Sequence, residues 1–348
     1  MKINTALVGI GNCSKALLEG IAFYTKNKTD NIGLMHPLIG KYHPSDIDFV
    51  MAFDVDKRKV GKKLSEAIYA LPNRTIKISN PIDYNVTVKR GPTCDSIIPE
   101  MTKWYINESK KPEVDLVRAL KDSDTDIVIN FLPTGSDNAT YAYADAALKA
   151  GCCFINCMPT PIAKSKKWRS KFQRAGLVLL GDDIKSQCGA TILNRSILTL
   201  MKARGVNITR SSQINFGGNA DHFNLKYRPL SKKESKGDAL RSVLGKDDEP
   251  PIIKMRYVEE NYDHKQAKIK ITGMIFGHIP VSVNLTLEDE DSPNSAGVVI
   301  DAIRATKVLM DRKAVDEADK LSPFLMKSPA TQYSDSEAIN LFNEVIGR

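Results

Sequence analysis

The sequence predicts an α/β protein built on a doubly wound parallel sheet, followed by a second unit of α+β type. In the first half, short apolar segments alternate with helical segments, which is the pattern of parallel strands joined by helices. A glycine-rich turn follows the first apolar segment, at residues 9–14. After residue 183, polar and apolar residues alternate at 211–216, 268–272 and 281–287, as in antiparallel strands with one polar or ligand-facing side.

The individual elements follow from these periodicities. Strands are predicted at 3–8, 48–54, 126–133, 153–157 and 177–180, with short strand candidates at 75–78 and 85–88. Helices are predicted at 14–24, 57–70, 137–150, 164–175, from Leu193 onward and at 296–312, and residues 25–47 form an insertion. We expect a dinucleotide-binding domain over 1–187, a second domain over 188–290, and a segment over 291–348 that packs back on the first domain.

Composition restricts the class of protein. The 348 residues suffice for two domains, and the formal charge is +9. Because the lysines are scattered along the chain, we expect an anionic small substrate and no nucleic-acid partner. The apolar segments are too short to cross a bilayer, and the N-terminus lacks the pattern of a signal peptide. The six cysteines form no CxxC pair, so we expect reduced thiols. Together these features predict a cytoplasmic location and no membrane partner.

The glycine-rich turn predicts a dinucleotide site. Gly9 and Gly11 follow a strand and precede a helix, with Ser14 where a third glycine is usual, and helix N-termini favour anions. Asp54 ends the next strand, where a carboxylate can accept the ribose hydroxyls of NAD. This context predicts a Rossmann-type domain that binds NAD, although a plain glycine turn would have the same local pattern. The residues of the turn are Gly9, Ile10, Gly11, Asn12, Cys13 and Ser14.

Two adjacent carboxylates and a lysine follow the apolar run at 177–180. Asp182, Asp183 and Lys185 would lie at the carboxyl end of a buried parallel strand, where open α/β sheets bind their ligands. Charges at such a position require a counter-charge, a metal or a substrate, because removing them from water is costly. Asp183 and Asp291 could share a divalent cation, since carboxylate oxygens suit Mg, Mn or Zn.

Further polar segments have both a functional and an ordinary explanation. The Thr134-Gly135-Ser136 turn would face the cofactor, or Ser136 would simply cap a helix. The segment 217–224 brings backbone close to a ligand, or is a solvated turn. The lysine-rich segment 231–236 and Lys265 would bind an anionic substrate, or lie in solvent. The segment 291–297 precedes the last predicted helix, whose first amides could hold a phosphate.

Together these segments resemble inositol-phosphate synthases, in particular the bacterial and archaeal branch. The resemblance is carried by 9–14, 52–56, 59–61, 181–187, 217–221, 291–297 and 325–329, with 33–37 in the insertion that the family has at this place. It implies an isomerase that uses NAD to convert D-glucose 6-phosphate into 1D-myo-inositol 3-phosphate. Oxidation at C5, enolisation, intramolecular aldol closure and re-reduction would give no net redox change.

The resemblance also implies roles for residues. Lys185, Lys233, Lys236 and Lys265 would stabilise developing negative oxygens, and their close packing would lower the pKa of one of them. Substrate would be held by Asn219, Asp221 and Ser295, and a divalent cation (Zn, Mn or Mg) by Asp183, Asp291 and Ser292. NAD would be held by Gly9, Gly11, Asn12, Cys13, Ser14, Asp54, Thr134, Gly135, Ser136 and Asp182.

The same resemblance implies a homotetramer built through the second domain, which would be both catalytic and tetramer-forming. The inositol would serve phospholipid biosynthesis or a soluble osmolyte. One difference is that 190–195 lacks a lysine pair of eukaryotic members, so we expect Arg195 or the metal to substitute. Two alternatives remain: an NAD-dependent dehydrogenase of a phosphorylated sugar or semialdehyde, which would accumulate NADH, and a non-catalytic NAD-sensing protein.

Overall fold

The computed structural model describes residues 2–95, 97, 99–227, 237, 239–244 and 249–348. Among these residues, six strands form a parallel sheet in the order β3-β2-β1-β4-β5-β6. This is the doubly wound order of dinucleotide-binding domains, so the predicted fold class is confirmed. The strands are β1 (Ile3–Val8), β2 (Ile47–Asp54), β3 (Lys89–Arg90), β4 (Ile127–Asn130), β5 (Cys153–Asn156) and β6 (Leu179–Leu180).

The parallel sheet is buried because successive side chains of its strands pack into two different hydrophobic cores. In β4, Ile127 and Ile129 enter one core and Val128 enters the other, and all three are fully buried. Helices α1 (Asn12–Lys26) and α9 (Asp291–Arg312) contribute to the first core. The second core receives α4 (Leu116–Asp122), α5 (Asp137–Ala150) and α6 (Lys166–Arg174).

A second sheet of four strands follows, in the order β10-β9-β7-β8. The strands are β7 (Asn207–Gly217), β8 (Ile252–Tyr257), β9 (His264–Met274) and β10 (Pro280–Glu290). Strands β7, β9 and β10 are antiparallel as predicted, but β8 runs parallel to β7 and was not predicted. Helix α7 (Ala190–Ala203) covers one face of this sheet, and α8 (Ala220–Tyr227) follows β7.

The chain then returns to the first sheet. Helix α9 packs on α1, and two further helices follow, α10 (Ala318–Leu325) and α11 (Asp335–Ile346). Ile184 pairs with Met326 across an isolated bridge, which places the C-terminal segment beside the carboxyl end of β6. The three-part division of the chain stays a prediction. No described helix combines the length and the apolar character that crossing a membrane requires.

Three predicted local elements are wrong. The helix expected over 57–70 is reduced to α2 (Leu64–Ala67), because the backbone amides of Gly61 and Leu64 donate to the Val88 and Val86 carbonyls instead. The candidate strands at 75–78 and 85–88 are absent, and β3 lies just after the second of them. The remaining short helix is α3 (Pro99–Trp104).

Candidate active site

A cavity of about 270 Å³ lies against the glycine-rich turn, where the first sheet meets the second unit. Its walls come from the turn after β1, the end of β2, the loop after β4, and from Pro92–Asp95, Ile97, Met101, Tyr105 and Ile106. From the second half of the chain, Asn219, Asp221, Asp291, Ser295 and Lys327 also line it. We call this cavity the cofactor cleft.

The two glycines of the turn have different structural roles. Gly9 has φ +87°, and a Cβ atom there would lie 2.8 Å from the Phe131 carbonyl oxygen, so the fold itself requires glycine. At Gly11, a Cβ would meet no atom within 4 Å, so this position is open toward the cleft. An open glycine at the start of α1 leaves the space that a pyrophosphate needs beside the helix N-terminus.

Asp54 is fixed at the end of β2. Its Oδ2 accepts the Ile10 amide at 2.8 Å and lies 3.5 Å from the Lys59 amine, while its Oδ1 accepts the Val55 and Asp56 amides. Asp54 lines the cleft, where its carboxylate suits a ribose 2′-hydroxyl and repels a 2′-phosphate. The open glycine and this carboxylate therefore fit NAD.

A smaller cavity of about 50 Å³ adjoins the cleft, and three lysines of the described part of the chain line it. Ser186, Asp221, Asp291 and Lys327 line both spaces, so the two cavities meet at these residues. We call the smaller one the lysine pocket. Its lysines are Lys185, Lys265 and Lys327, and the first residues of α7 complete its wall.

Each of these lysines is held differently. The Lys265 amine lies 2.6 Å from Asp291 Oδ1 and 3.8 Å from Asp289 Oδ2. The Lys327 amine lies 3.0 Å from Asp183 Oδ1 and donates to the Ile184 carbonyl. Asp183 has φ +62°, an uncommon value for a residue other than glycine, and such values concentrate at functional sites.

The chain is similar to named inositol-phosphate synthases over nearly its whole length. The sequence profile of the family described as myo-inositol-1-phosphate synthase matches residues 189–292. An inositol-3-phosphate synthase of Mycolicibacterium smegmatis is 42% identical over 352 residues, covering 97% of this chain and 96% of the relative. One of Corynebacterium glutamicum is 41% identical over 348 residues, covering 97% and 96%. The chain belongs to the inositol-3-phosphate synthase family.

A solved structure agrees at the level of the fold. A myo-inositol-1-phosphate synthase-related protein from Thermotoga maritima superposes with a TM-score of 0.83 at 24% identity, covering 100% of this chain and 99% of that one. This likeness extends over the whole chain and concerns the fold alone.

Lys327 and Asp263 were missed as site residues by the sequence analysis. Lys327 lies in the 325–329 segment that carries the resemblance to the synthase family, but no role was assigned to it. Asp263, 1% exposed, accepts from the side-chain amides of Asn12 and Asn219 and from the amide and hydroxyl of Ser292. It thereby joins the glycine turn, the β7–α8 loop and the start of α9. The sequence offered one indication of this role, because Asp263 lies two residues before the predicted site residue Lys265.

One of the four predicted lysines was expected to have its pKa lowered by neighbouring ammonium groups. The pKa of Lys185 is lowered to about 8, but burial is the largest cause, and repulsion from Arg195 and Lys327 adds to it. The Lys185 amine donates to the Pro323 carbonyl at 2.6 Å and lies 3.8 Å from Asp335. The predicted Lys233 and Lys236 lie outside the described residues.

Arg195 is not among the residues that line the lysine pocket, although its charge contributes to lowering the pKa of Lys185. Its guanidinium is buried and donates to Asp335, Ser242 and the carbonyls of Ala239 and Tyr333. These bonds tie α7 to segment 239–242 and to the start of α11, which is a structural role.

Four of the expected cofactor residues do not line the cleft. Asp182 is buried, and its carboxylate accepts from the Asn156 side chain and from the Ile162, Ala163 and Lys164 amides, which holds that loop. Burial raises the pKa of Asp182 to about 7. The other three are Ser14, Thr134 and Gly135. The Thr134 hydroxyl donates to Asp221, and the Ser14 hydroxyl donates to the Gly9 carbonyl.

The remaining predicted residues Asn12, Cys13 and Ser136 line the cleft with the glycines and Asp54. Burial, followed by the charge of Asp263, raises the pKa of Cys13 to about 11. The Cys13 thiol is therefore protonated at neutral pH and is not a nucleophile. Its Sγ lies 3.7 Å from the Ser292 hydroxyl, which in turn donates to Asp263.

The predicted metal ligands do not form a divalent-cation site in this arrangement. Asp183 and Asp291 each bind a lysine amine, and the Ser292 hydroxyl donates to Asp263. Within the described parts of the chain, no group of three His, Cys, Asp or Glu side chains is positioned to hold a metal ion. A divalent cation would have to displace both lysines.

Proposed function

We propose that this chain converts D-glucose 6-phosphate into 1D-myo-inositol 3-phosphate, as an NAD-dependent isomerase of inositol biosynthesis. The observation that carries this function is that the lysine pocket and the cofactor cleft share four lining residues, Ser186, Asp221, Asp291 and Lys327. Bound NAD supplies reversible hydride transfer at C5, so the chemistry needs no external reductant. The protein must then bind a phosphate, stabilise negative oxygens and move protons.

The N-terminus of α7 is our proposed phosphate site. No side chain caps this helix, and Gly189, Ala190 and Thr191 line the lysine pocket. The helix dipole and the nearby ammonium groups both favour a dianion at this position. The start of α9 suits phosphate less well, because Asp263 already accepts the Ser292 amide and Asp291 lies in the first turn.

Lys327 lines both cavities, which supports a role where hydride and proton transfer would occur. We assign its ammonium to pass one proton to the Asp183 carboxylate while it takes the C5 hydroxyl proton as that oxygen becomes a carbonyl, and to reverse both transfers as the carbonyl is reduced. Lys265, fixed by Asp291, would stabilise the oxyanion that forms on ring closure. Asn219, Asp221 and Ser295 line the cleft and would position the sugar hydroxyls. Lys233 and Lys236 are still proposed as cations that stabilise negative oxygens.

Product analysis tests this function. The protein is incubated with glucose 6-phosphate and catalytic NAD, and phosphate released by periodate is measured together with NADH absorbance. Inositol phosphate without accumulated NADH is the expected result. Steady NADH accumulation would instead indicate the dehydrogenase, and NAD binding with neither product would indicate the sensor.

A divalent cation (Zn, Mn or Mg) at Asp183, Asp291 and Ser292 is retained as a proposal only in a restricted form. It would bind when Lys327 and Lys265 release their carboxylates, and no reaction step is assigned to it. Turnover after exhaustive chelation, with metal content measured in parallel, tests whether the cation is required. Unchanged turnover in metal-free protein would reject it.

We further propose a homotetramer formed through the second sheet, a cytoplasmic location, and a product that enters phospholipid biosynthesis. The tetramer is supported by the turn between β9 and β10, where Phe276 is 97% exposed and Ile279 is 58% exposed. Sedimentation of Phe276→Asp against the unaltered protein tests the assembly. A tetramer of unchanged stability in that variant would argue against this surface.

A further inference from the structure

Residues 91–95, 97 and 99–106 lie along the cofactor cleft between the first sheet and the second unit. Pro92–Asp95, Ile97, Met101, Tyr105 and Ile106 line the cleft. We call these described residues, 91–95, 97 and 99–106, the strap. This segment contains α3 and carries none of the motifs that predicted the site.

Both ends of the strap are fixed to the segment after β2. The Gly91 amide donates to the Asp54 carbonyl at 3.1 Å, and just past the other end the Asn107 amide donates to the Asp56 carboxylate at 3.0 Å. Asp54 is the carboxylate that suits the ribose. The strap therefore begins and ends beside the adenosine part of the proposed NAD site.

Between these ends, two side chains hold the strap to opposite parts of the molecule. Asp95 accepts the Asn138 and Ala139 amides at 3.1 and 2.9 Å, so a strap carboxylate caps the first turn of α5. The Tyr105 hydroxyl lies 2.7 Å from that of Tyr257, at the end of β8 in the second sheet.

The Tyr105 contact is reinforced by its surroundings. Its hydroxyl also lies 3.4 Å from the Gly218 carbonyl, and its ring packs on Phe223 with centroids 4.9 Å apart. Burial, followed by the bond to Tyr257, raises the pKa of Tyr105, so the hydroxyl keeps its proton throughout the neutral range. The contact is thus a neutral hydrogen bond within an aromatic cluster.

We propose that the strap retains NADH on the enzyme between the two hydride transfers, with Asp95 and Tyr105 as the side chains that keep it closed. This inference rests on the proposed function, because only a reaction without net redox change requires the reduced cofactor to stay. A dehydrogenase must release NADH in every turnover. If NADH left early, the oxidised sugar would remain unreduced.

The test measures NADH release directly. Stopped-flow fluorescence follows NADH displaced by excess NAD from Tyr105→Phe and Asp95→Ala. Matched controls are Tyr24→Phe, which removes an exposed hydroxyl bond to the Ile32 carbonyl, and Asp145→Ala, which breaks an exposed ion pair on α5. Because a neutral hydrogen bond contributes on the order of 1 kcal/mol, Tyr105→Phe should release NADH about fivefold faster. Asp95→Ala, which loses two hydrogen bonds to a carboxylate, should accelerate release by at least that factor, and the controls should not.

A second measurement follows escape during catalysis. Pyruvate and lactate dehydrogenase are added to the reaction, so that NADH that leaves the enzyme is oxidised and lactate records it. Lactate formed per inositol phosphate should rise in both strap variants by a factor similar to that of the release rate. If Asp95→Ala does not fold, Tyr105→Phe decides the matter, since it removes a single oxygen.

Release rates of the folded strap variants within about twofold of the unaltered protein would overturn the proposal, because the lost bonds would then not restrain the cofactor. A lowered melting temperature without faster release would do the same and would indicate a structural role. The fluorescence measurement uses no sugar. A protein that makes no inositol phosphate would therefore refute the proposed function while the release rates still test the strap.

Discussion

The substitution Lys185→Met should remove a pH-dependent cost from the folded protein. The Lys185 side chain is 5% exposed, and burial lowers its pKa from the ordinary 10.5 to about 8. Below pH 8 the amine is charged in both folded and unfolded chains, and the folded chain bears the full cost of burying that charge. Between pH 8 and 10.5 the folded chain loses the proton first, so the stability of the unaltered protein rises with pH.

The size of the effect follows from the two pKa values. A pKa lowered from 10.5 to about 8 corresponds to about 3 kcal/mol, at about 1.36 kcal/mol for each pKa unit. Methionine fills a similar volume without a charge, but leaves the Pro323 carbonyl without the Lys185 donor, which costs about 1–3 kcal/mol. At pH 7 we expect the variant to be at least as stable as the unaltered protein. Between pH 7 and 10.5 the unaltered protein should gain about 3 kcal/mol in stability that the variant does not gain.

Urea unfolding of both proteins at intervals from pH 7 to 10.5 measures this difference. Lys121→Met, at an exposed position on α4, is the matched control and should show no such trend. A stability difference between Lys185→Met and the unaltered protein that stays constant over this range would refute the reasoning. It would mean that the buried amine is not the group that titrates.

Four further substitutions test the site. Gly11→Val should keep the melting temperature of the protein and weaken NAD binding at least about tenfold, whereas Gly9→Val should destabilise the fold. Calorimetry measures the melting temperatures and titration with NAD measures the binding. Equal behaviour of the two variants would contradict the assigned roles. Lys327→Ala should bind NAD normally but lose at least about 100-fold in inositol phosphate formation, and near-normal turnover would exclude its role in proton transfer. Asp263→Ala should lower the free energy of unfolding, measured in urea, by about 3–5 kcal/mol, because four donors lose their acceptor. A decrease below about 1 kcal/mol would show that the contacts of Asp263 do not stabilise the fold.

The first sheet was predictable because its signals are local. Periods of apolar residues report which backbone segments are strands and helices, and strands alternating with helices leave few topologies. The turn at Gly9 and Gly11, followed by Asp54 at the end of the next strand, then indicated both the cofactor and its position. The helix expected over 57–70 failed because its amides pair with residues 86–88, a contact that no periodicity reports.

Within the site, sequence alone could not assign the carboxylates. Asp182 and Asp183 are adjacent, yet the first holds a buried loop while the second pairs with Lys327 at the junction of the two cavities. The chain reverses direction there, with Asp183 at φ +62°, so neighbouring side chains enter different environments. Their functions therefore depend on which distant groups each one meets.

From its amino acids alone, this protein was readable as a Rossmann-type NAD enzyme of the inositol-3-phosphate synthase family, because glycines, strand periods and short motifs are local properties of the chain. Only the tertiary structure showed that Lys327 lines both cavities, that Asp263 joins three segments around the glycine turn, and that Pro92–Asp95, Ile97, Met101, Tyr105 and Ile106 line the cofactor cleft. Burial and charge pairing set these roles. Both depend on contacts between residues far apart in the chain, such as Asn12 with Asp263 and Lys327 with Asp183.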